Sequence, residues 1–170
     1  KNLNLGIDPT LFTSKQIKNF FLKNNKITII KENLVDKISK IQSKKKSSFY
    51  SIDKNIAGES YPKKVSRVSS FLKKNKYDYL FITAPENVAW LLNIRGYDSP
   101  TSPIPNSNLL LTKEKHVFLI VEKNKTTKLL SEKKLKQNQI VDPRYILDFF
   151  YKLKKGKIII DEKTCSLYLE

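Results

Sequence analysis

The sequence predicts an α/β fold in which a mixed sheet is flanked by helices. From about residue 52 onward, the apolar pattern gives the order helix, strand, helix, hairpin, strand, helix, strand. The runs at 79–82, 109–112 and 158–160 are short and almost wholly apolar, as in strands buried on both faces. Alternation of this kind is typical of helices layered on a sheet.

The first 40 residues are expected to be the C-terminal remnant of a separate domain. Residues 3–7 alternate as a strand does, Thr13 or Ser14 can cap a helix running to about residue 24, and 27–30 is a second apolar run. In that helix Ile17, Phe20 and Phe21 predict one apolar stripe. One helix between two strands cannot close a core, and the chain has no initial Met, so we expect a piece of a longer protein.

Residues 41–51 are rich in Lys and Ser and are predicted to be a linker, which leaves 52–170 as the second domain. There, Ser60 and Pro62 predict the start of a helix whose apolar face includes Val65 and Leu72. The lysines of this helix are predicted to face water: Lys63, Lys64, Lys73 and Lys74. Residues 113–115 predict the turn of a hairpin. A later helix follows residues 142–143, with Gly156 as its C′ residue.

Composition limits the classes of function. The formal net charge is +17, yet the basic residues are almost all Lys, with Arg at 67, 95 and 144. Surfaces that clamp phosphates or read bases favour Arg for its bidentate fork. The lysines are spread along the whole chain, so we predict solvated side chains and no nucleic-acid or membrane partner. One cysteine and no long apolar run fit a cytoplasmic protein.

The residues that usually carry chemistry do not form a convincing site. The one histidine, His116, opens a strand, and Cys165 has no base nearby in sequence. Asp161 and Glu162 follow a strand but point to opposite faces if it continues. The four glycines are isolated, so no phosphate-binding loop is predicted. We therefore expect neither catalytic nor metal-ligating residues in this chain.

Residues 90–98, WLLNIRGYD, which lie within the stretch 79–105 and begin with the only tryptophan, are the remaining candidate. In a structural interpretation Trp90 lies in the core, Asn93 ends a helix, Gly96 has a positive φ, and Arg95 pairs with Asp98 across the turn. In a functional interpretation Arg95 and Asp98 project into a cleft shared with another domain. Both interpretations stay open from the residues alone.

Residues 86–98, ENVAWLLNIRGYD, and the proline loop after them resemble the three-domain Xaa-Pro aminopeptidases (aminopeptidase P). That family has an acidic residue, Ala-Trp-Leu, Asn-x-Arg-Gly and an Asp two residues on. Three further stretches resemble it in order and spacing: LGIDP at 5–9, ENLVDKI at 32–38 and AGES at 57–60. Ser39 departs from the Trp that is common there, and residues 124–170 match only in general pattern.

The resemblance implies the end of a first domain followed by a second domain of creatinase/prolidase N-terminal type. In such enzymes a C-terminal pita-bread domain of the peptidase M24 family holds two divalent metal ions, usually manganese, and cleaves before a proline at position two. Nothing here matches its metal ligands, so that catalytic domain is expected to be absent from this chain and the chain alone inactive. Expected partners are the missing domains and the parent's peptide substrate; a homodimer is left open.

For this chain the resemblance implies a supporting role that helps limit the cleft to short peptides. We expect Asn93, Arg95 and Asp98, in the loop 93–106, at a domain interface or on the substrate side, with Trp90 and Gly96 structural. Two alternatives differ in class: a peptidase-dead binding module, and a basic domain that binds polyanions.

Overall fold

The computed structural model describes residues 2–21, 24–30, 33–39 and 48–170. Contacts between Cα atoms divide the chain into two compact units. One comprises Lys1–Lys45 with Asp161–Glu170, and the other Lys46–Ile160. The predicted boundaries therefore differ at two places: the last ten residues group with the first unit, and 48–51, predicted as linker, belong to the second. The rest of the predicted linker, at 41–47, lies outside the described residues.

The first unit contains a strand–helix–strand motif, as the apolar pattern predicts. Strands β1 (Leu3–Ile7) and β2 (Asn25–Ile29) pair in parallel around helix α1 (Ser14–Phe20). Thr13 and Gln16 cap α1 reciprocally, each side chain bonding the other's backbone N–H. Helix α2 (Leu34–Ile38) begins after Asn33.

The predicted stripe of α1 is wrong at one position, since Ile17 is buried but Phe20 is exposed.

Residues 161–170 join this unit through backbone hydrogen bonds from Leu167 to Phe12 and from Tyr168 to Pro9. Periodicity alone could not show that a segment 150 residues away in sequence packs here.

The second unit is built on a five-stranded mixed sheet. The strands are β4 (Tyr79–Ile82), β6 (Asn108–Thr112), β7 (Val117–Ile120), β8 (Ile140–Val141) and β9 (Ile158–Ile159). Their order is β8–β7–β6–β4–β9; the outer pairs β7–β8 and β4–β9 are parallel, and β4–β6 and β6–β7 are antiparallel. A separate ribbon pairs β3 (Tyr50–Ser51) with β5 (Ile94–Arg95) in antiparallel orientation.

The helices of this unit are short except for one. They are α3 (Lys54–Ala57), α4 (Tyr61–Lys74), α5 (Pro85–Leu92), α6 (Thr127–Ser131) and α7 (Ile146–Tyr151), with 3₁₀ turns at Lys123–Thr126, Gln137–Gln139 and Pro143–Tyr145. The predicted C′ role of Gly156 is wrong, because α7 ends five residues earlier. Gly156 instead lies against Asp78, where an added Cβ would come within 2.7 Å of the carboxylate.

Both faces of the central sheet are covered by helices. Helices α4 and α5 pack against strands β4 and β6, and their apolar side chains form one cluster with every second sheet residue. On the other face Phe81 and Phe118 meet the α7 rings of Phe150 and Phe149, each with ring centroids 5.1 Å apart. The mixed α/β sheet flanked by helices that the sequence predicts is therefore confirmed.

Candidate functional site

Helix α5 presents the candidate residues because of where it ends. Asn93 caps it in the left-handed conformation, with φ 51° and ψ 51°, a region that asparagine tolerates better than most residues. The chain then reverses into β5, which carries Arg95. The predicted role of Asn93 as the helix stop agrees with this geometry.

A buried lysine fixes this helix end. The Lys64 ammonium group donates 2.8 Å to Oδ1 of Asn93 and 2.9 Å to the carbonyl oxygen of Trp90, while the Asn93 amide donates 2.8 Å to the carbonyl of Glu59. Burial lowers the pKa of Lys64, because desolvation disfavours the charged form. Helical periodicity predicts that Lys64 faces water beside the core residue Val65, and that prediction is wrong, because Lys64 is 3% exposed. No local signal in the sequence marks a buried lysine.

Trp90 does not lie in the core, so that prediction is wrong. Its side chain is 48% exposed. The Lys64 ammonium lies 4.5 Å from the centroid of the indole ring and the Arg67 guanidinium 5.7 Å, both at cation–π range. Val88, Ala89, Leu91 and Leu92 of α5 are buried, so the helix turns its largest ring outward, within reach of two cations.

Gly96 is required for close packing and not for a left-handed turn. Among the described glycines, positive φ occurs at Gly58 alone, so the predicted positive φ of Gly96 is wrong. A Cβ on Gly96 would lie 2.8 Å from a ring carbon of Phe49 and 3.0 Å from the Cα of Pro105. Phe49 is fully buried, so the glycine lets the proline loop lie directly on the core.

Asp98 closes the proline loop, and it does so without Arg95. Its carboxylate accepts 2.7 Å from the backbone N–H of Asn106 and 2.8 Å from the ammonium of Lys125. The Asp98 and Lys125 side chains are only 13% and 17% exposed, so water screens this ion pair weakly. The predicted pairing of Arg95 with Asp98 is therefore wrong.

Arg95 makes hydrogen bonds to backbone carbonyls alone within the described part of the chain. One terminal nitrogen donates 2.8 Å to the carbonyl of Ile94 and 3.4 Å to that of Ala89. No carboxylate of the described residues lies within 4.0 Å of it, whereas Arg67 and Arg144 each pair with one. Arg95 is thus a partly exposed cation whose remaining donors are available to another group.

The other chemical candidates of the sequence are not assembled into a site. His116 is exposed beside a cleft of about 600 Å³ that Asp78 and Lys113 also line. Cys165, in the other unit, is buried, and burial raises the pKa of its thiol, which keeps it from acting as a thiolate. Glu162 pairs with Lys15 at 3.0 Å, and Asp161 bonds the backbone of its own turn.

The described residues bring no three His, Cys, Asp or Glu side chains together in a way that could hold a metal ion. No helix among them combines the length and the apolar character needed to cross a bilayer.

Sequence comparison places residues 40–170 in the creatinase/prolidase N-terminal domain family. The chain is 30% identical over 128 residues to the "Probable Xaa-Pro aminopeptidase P" of Coprinopsis cinerea, covering 72% of this chain and 21% of that protein. It is 34% identical over 125 residues to the Xaa-Pro aminopeptidase app-1 of Caenorhabditis elegans, covering 70% of this chain and 20% of that protein.

A solved structure agrees with these relatives. The crystal structure of X-prolyl aminopeptidase from Caenorhabditis elegans, described as a cytosolic enzyme with a di-nuclear active site, matches with a TM-score of 0.73 and 26% identity. The match covers 86% of this chain and 25% of that one, and the chain spans about a fifth of the length of the curated relatives above. With its mixed sheet, its flanking helices and the matched residues 40–170, the chain belongs to the creatinase/prolidase N-terminal domain family.

Proposed function

We propose that this chain is a non-catalytic, N-terminal-type part of a metal-dependent Xaa-Pro aminopeptidase, and that it supports the active-site cleft and limits access to it. The parent removes an N-terminal residue that precedes proline. The curated relatives above are Xaa-Pro aminopeptidases, which supports this class of reaction. The parent's two metal ions, expected to be manganese, bind in a separate domain of pita-bread fold. The parent enzyme is expected in the cytoplasm.

The observation that carries the proposal is the construction of the loop 93–106. The Asn106 N–H at the end of this loop donates 2.7 Å to the Asp98 carboxylate, and the Gly96 N–H donates 3.1 Å to the carbonyl of Pro103. This hydrogen-bonded loop carries Arg95, whose charge no carboxylate of the described residues neutralises. We propose that Arg95 faces the catalytic domain, or the substrate side of the cleft between them, and that Asn93 and Asp98 hold it there.

The test compares the full-length polypeptide with the 170-residue chain. Supplied with manganese, the full-length protein should release the first residue from a peptide with proline at position two, and the 170-residue chain should not. A full-length protein that binds no metal and cleaves no such peptide would contradict the proposal and favour the peptidase-dead binding module.

The role of Arg95 is tested in the same full-length protein. Arg95→Ala should lower kcat/KM for the proline peptide or lower the melting temperature. The control is Lys73→Ala, which removes a cationic side chain from an exposed position of helix α4. Unchanged kinetics and an unchanged melting temperature in Arg95→Ala would contradict the proposal that Arg95 lies at the domain interface.

A further inference from the structure

The β3–β5 ribbon has one face, made by Tyr50, Arg95 and Tyr97, that carries polar donors beside one half-buried and one exposed ring. We call it the tyrosine–arginine face. Tyr50 lies directly opposite Arg95 in the antiparallel register, so their side chains share this face. The rings of Tyr50 and Tyr97 are stacked, with centroids 5.3 Å apart and an interplanar angle of 27°. Tyr97 is 67% exposed.

The electrostatics of this face are positive. Hydrogen bonding with Tyr97 raises the pKa of the Tyr50 phenol, while the charge of Arg95 opposes that shift, so the three side chains interact. The Lys128 ammonium lies 5.7 Å from the centroid of the Tyr50 ring. Lys128 has a carboxylate partner, Glu132, only at 3.9 Å on the same helix, and an exposed pair at that distance neutralises little charge.

The unused donors of Arg95 define the ligand chemistry. Its hydrogen bonds to Ile94 and Ala89 occupy one terminal nitrogen, which leaves the other terminal nitrogen and Nε. Those two N–H groups form the edge of the guanidinium that matches the two oxygens of a carboxylate. The Asp98 carboxylate does not use that edge, because it is bonded to Lys125 and Asn106.

We propose that the tyrosine–arginine face binds an acidic polypeptide segment, with one Asp or Glu carboxylate on Arg95 and a neighbouring apolar side chain on the Tyr50–Tyr97 stack. The inference rests on the proposed function in one respect: the segment is expected on the domain that covers the loop 93–106. It goes beyond the proposed function because it states that the surface packed on this face carries an Asp or Glu beside an apolar residue.

Charge and geometry select this occupant over two others. A second copy of a chain with net charge +17 would bring like charge against Arg95 and Lys128. A single-stranded nucleic acid needs successive open ring faces and a basic groove that follows its backbone. Here the two rings stack on each other, and the face offers one arginine.

The test uses the ¹⁵N-labelled 170-residue chain and the blocked peptide acetyl-Gly-Glu-Phe-Gly-amide, followed by NMR. We expect the Arg95 Nε–H and the Tyr97 amide signals to shift on titration. Arg95→Lys keeps the charge but loses the fork, and it should weaken binding about tenfold. Tyr97→Ala, at an exposed site, should also weaken binding, and it tests the face even if Arg95→Lys fails to fold. The control Lys73→Gln removes one exposed charge elsewhere and should change the affinity less than about twofold.

Three results would overturn the inference. The first is equal binding by wild type and by both face variants. The second is equal binding of the peptide with Gln in place of Glu. The third is tighter binding of an oligothymidine to the same residues, with an affinity that falls steeply with salt. None of them depends on peptidase activity, so failure here is distinct from failure of the full-length enzyme to cleave a proline peptide.

Discussion

The ammonium group of Lys64 lies 2.8 Å from Oδ1 of Asn93, and this hydrogen bond joins helix α4 to the end of helix α5. Lys64 is 3% exposed and Asn93 likewise 3%, so the bond is made away from water. The same ammonium donates to the carbonyl of Trp90, one of the last carbonyls of α5, to which the Asn93 backbone N–H donates only at 3.4 Å. The position of Arg95, two residues after Asn93, therefore depends on a lysine that lies 31 positions earlier in the chain.

Replacing Lys64 by methionine should destabilise the second unit by about 1–3 kcal/mol, because two buried acceptors lose their donor. Methionine is of similar length, so most of the packing is retained. The measurement is urea unfolding at neutral pH, with Lys63→Met, at the exposed neighbouring position, as the control. Equal stability of both variants would mean that the buried bonds of Lys64 contribute no more than its desolvation costs.

Gly96→Ala should destabilise the protein by about 1–3 kcal/mol through overpacking. Its Cβ would meet the buried ring of Phe49 at 2.8 Å and the backbone of Pro105 at 3.0 Å. The double variant Gly96→Ala/Phe49→Leu separates these contacts: relative to Phe49→Leu alone, the alanine should cost less, since the ring is gone and only the backbone contact remains. Thermal unfolding of the four proteins provides the test. An alanine that costs the same on both backgrounds would show that Phe49 is not what requires a glycine.

The sequence predicted the sheet well because each strand is marked by a local run of apolar residues. The apolar runs of β4 and β7 identify both segments as buried strands without knowledge of the strands that they pair with. The candidate site was predicted less well, because its geometry depends on contacts distant in sequence. A glycine is needed at position 96 because the ring of Phe49 lies against it, and the Asp98 carboxylate pairs with Lys125. Neither contact leaves a local pattern in the sequence.

Trp90 shows a second kind of failure. Tryptophan is buried so often that its occurrence in an apolar helix favours the core. In the structure, two cations of α4, Lys64 and Arg67, lie over the ring instead. Their i, i+3 spacing, which puts both on one face of the helix, is visible in the sequence. What the sequence lacks is the pairing of α4 with α5 that brings those cations to the ring.

The pair between Asp98 and Lys125 should show a coupling energy of about 1–3 kcal/mol in a double-mutant cycle of Asp98→Asn and Lys125→Met. Both side chains are mostly buried, so either single change leaves a poorly solvated partner. The comparison is the exposed pair of Lys128 and Glu132 at 3.9 Å, whose cycle should give about 0.3–0.5 kcal/mol. Equal couplings for the two pairs would contradict the view that the Asp98 pair closes the proline loop.

Below pH 4, the pair of Asp142 and Arg144 should contribute an acid-dependent loss of stability. The guanidinium of Arg144 bonds the carboxylate at 2.8 and 3.0 Å and, with the backbone N–H of the same residue, lowers the pKa of Asp142 from 3.8 to about 2. Between these values the unfolded chain holds a proton that the folded chain does not. The contribution is therefore complete above about pH 4 and is lost as the pH falls through about 2.

The measurement is an NMR titration of the Asp142 side-chain carboxyl carbon in wild type and in Arg144→Gln. The variant should move the pKa of Asp142 back toward 3.8, incompletely, because the backbone N–H of residue 144 still donates at 3.0 Å. Arg67→Gln, which removes an arginine from a different ion pair, should leave the Asp142 titration unchanged. An unshifted titration in Arg144→Gln would instead assign the low pKa to the backbone turn alone, and stability in acid would then be independent of the arginine.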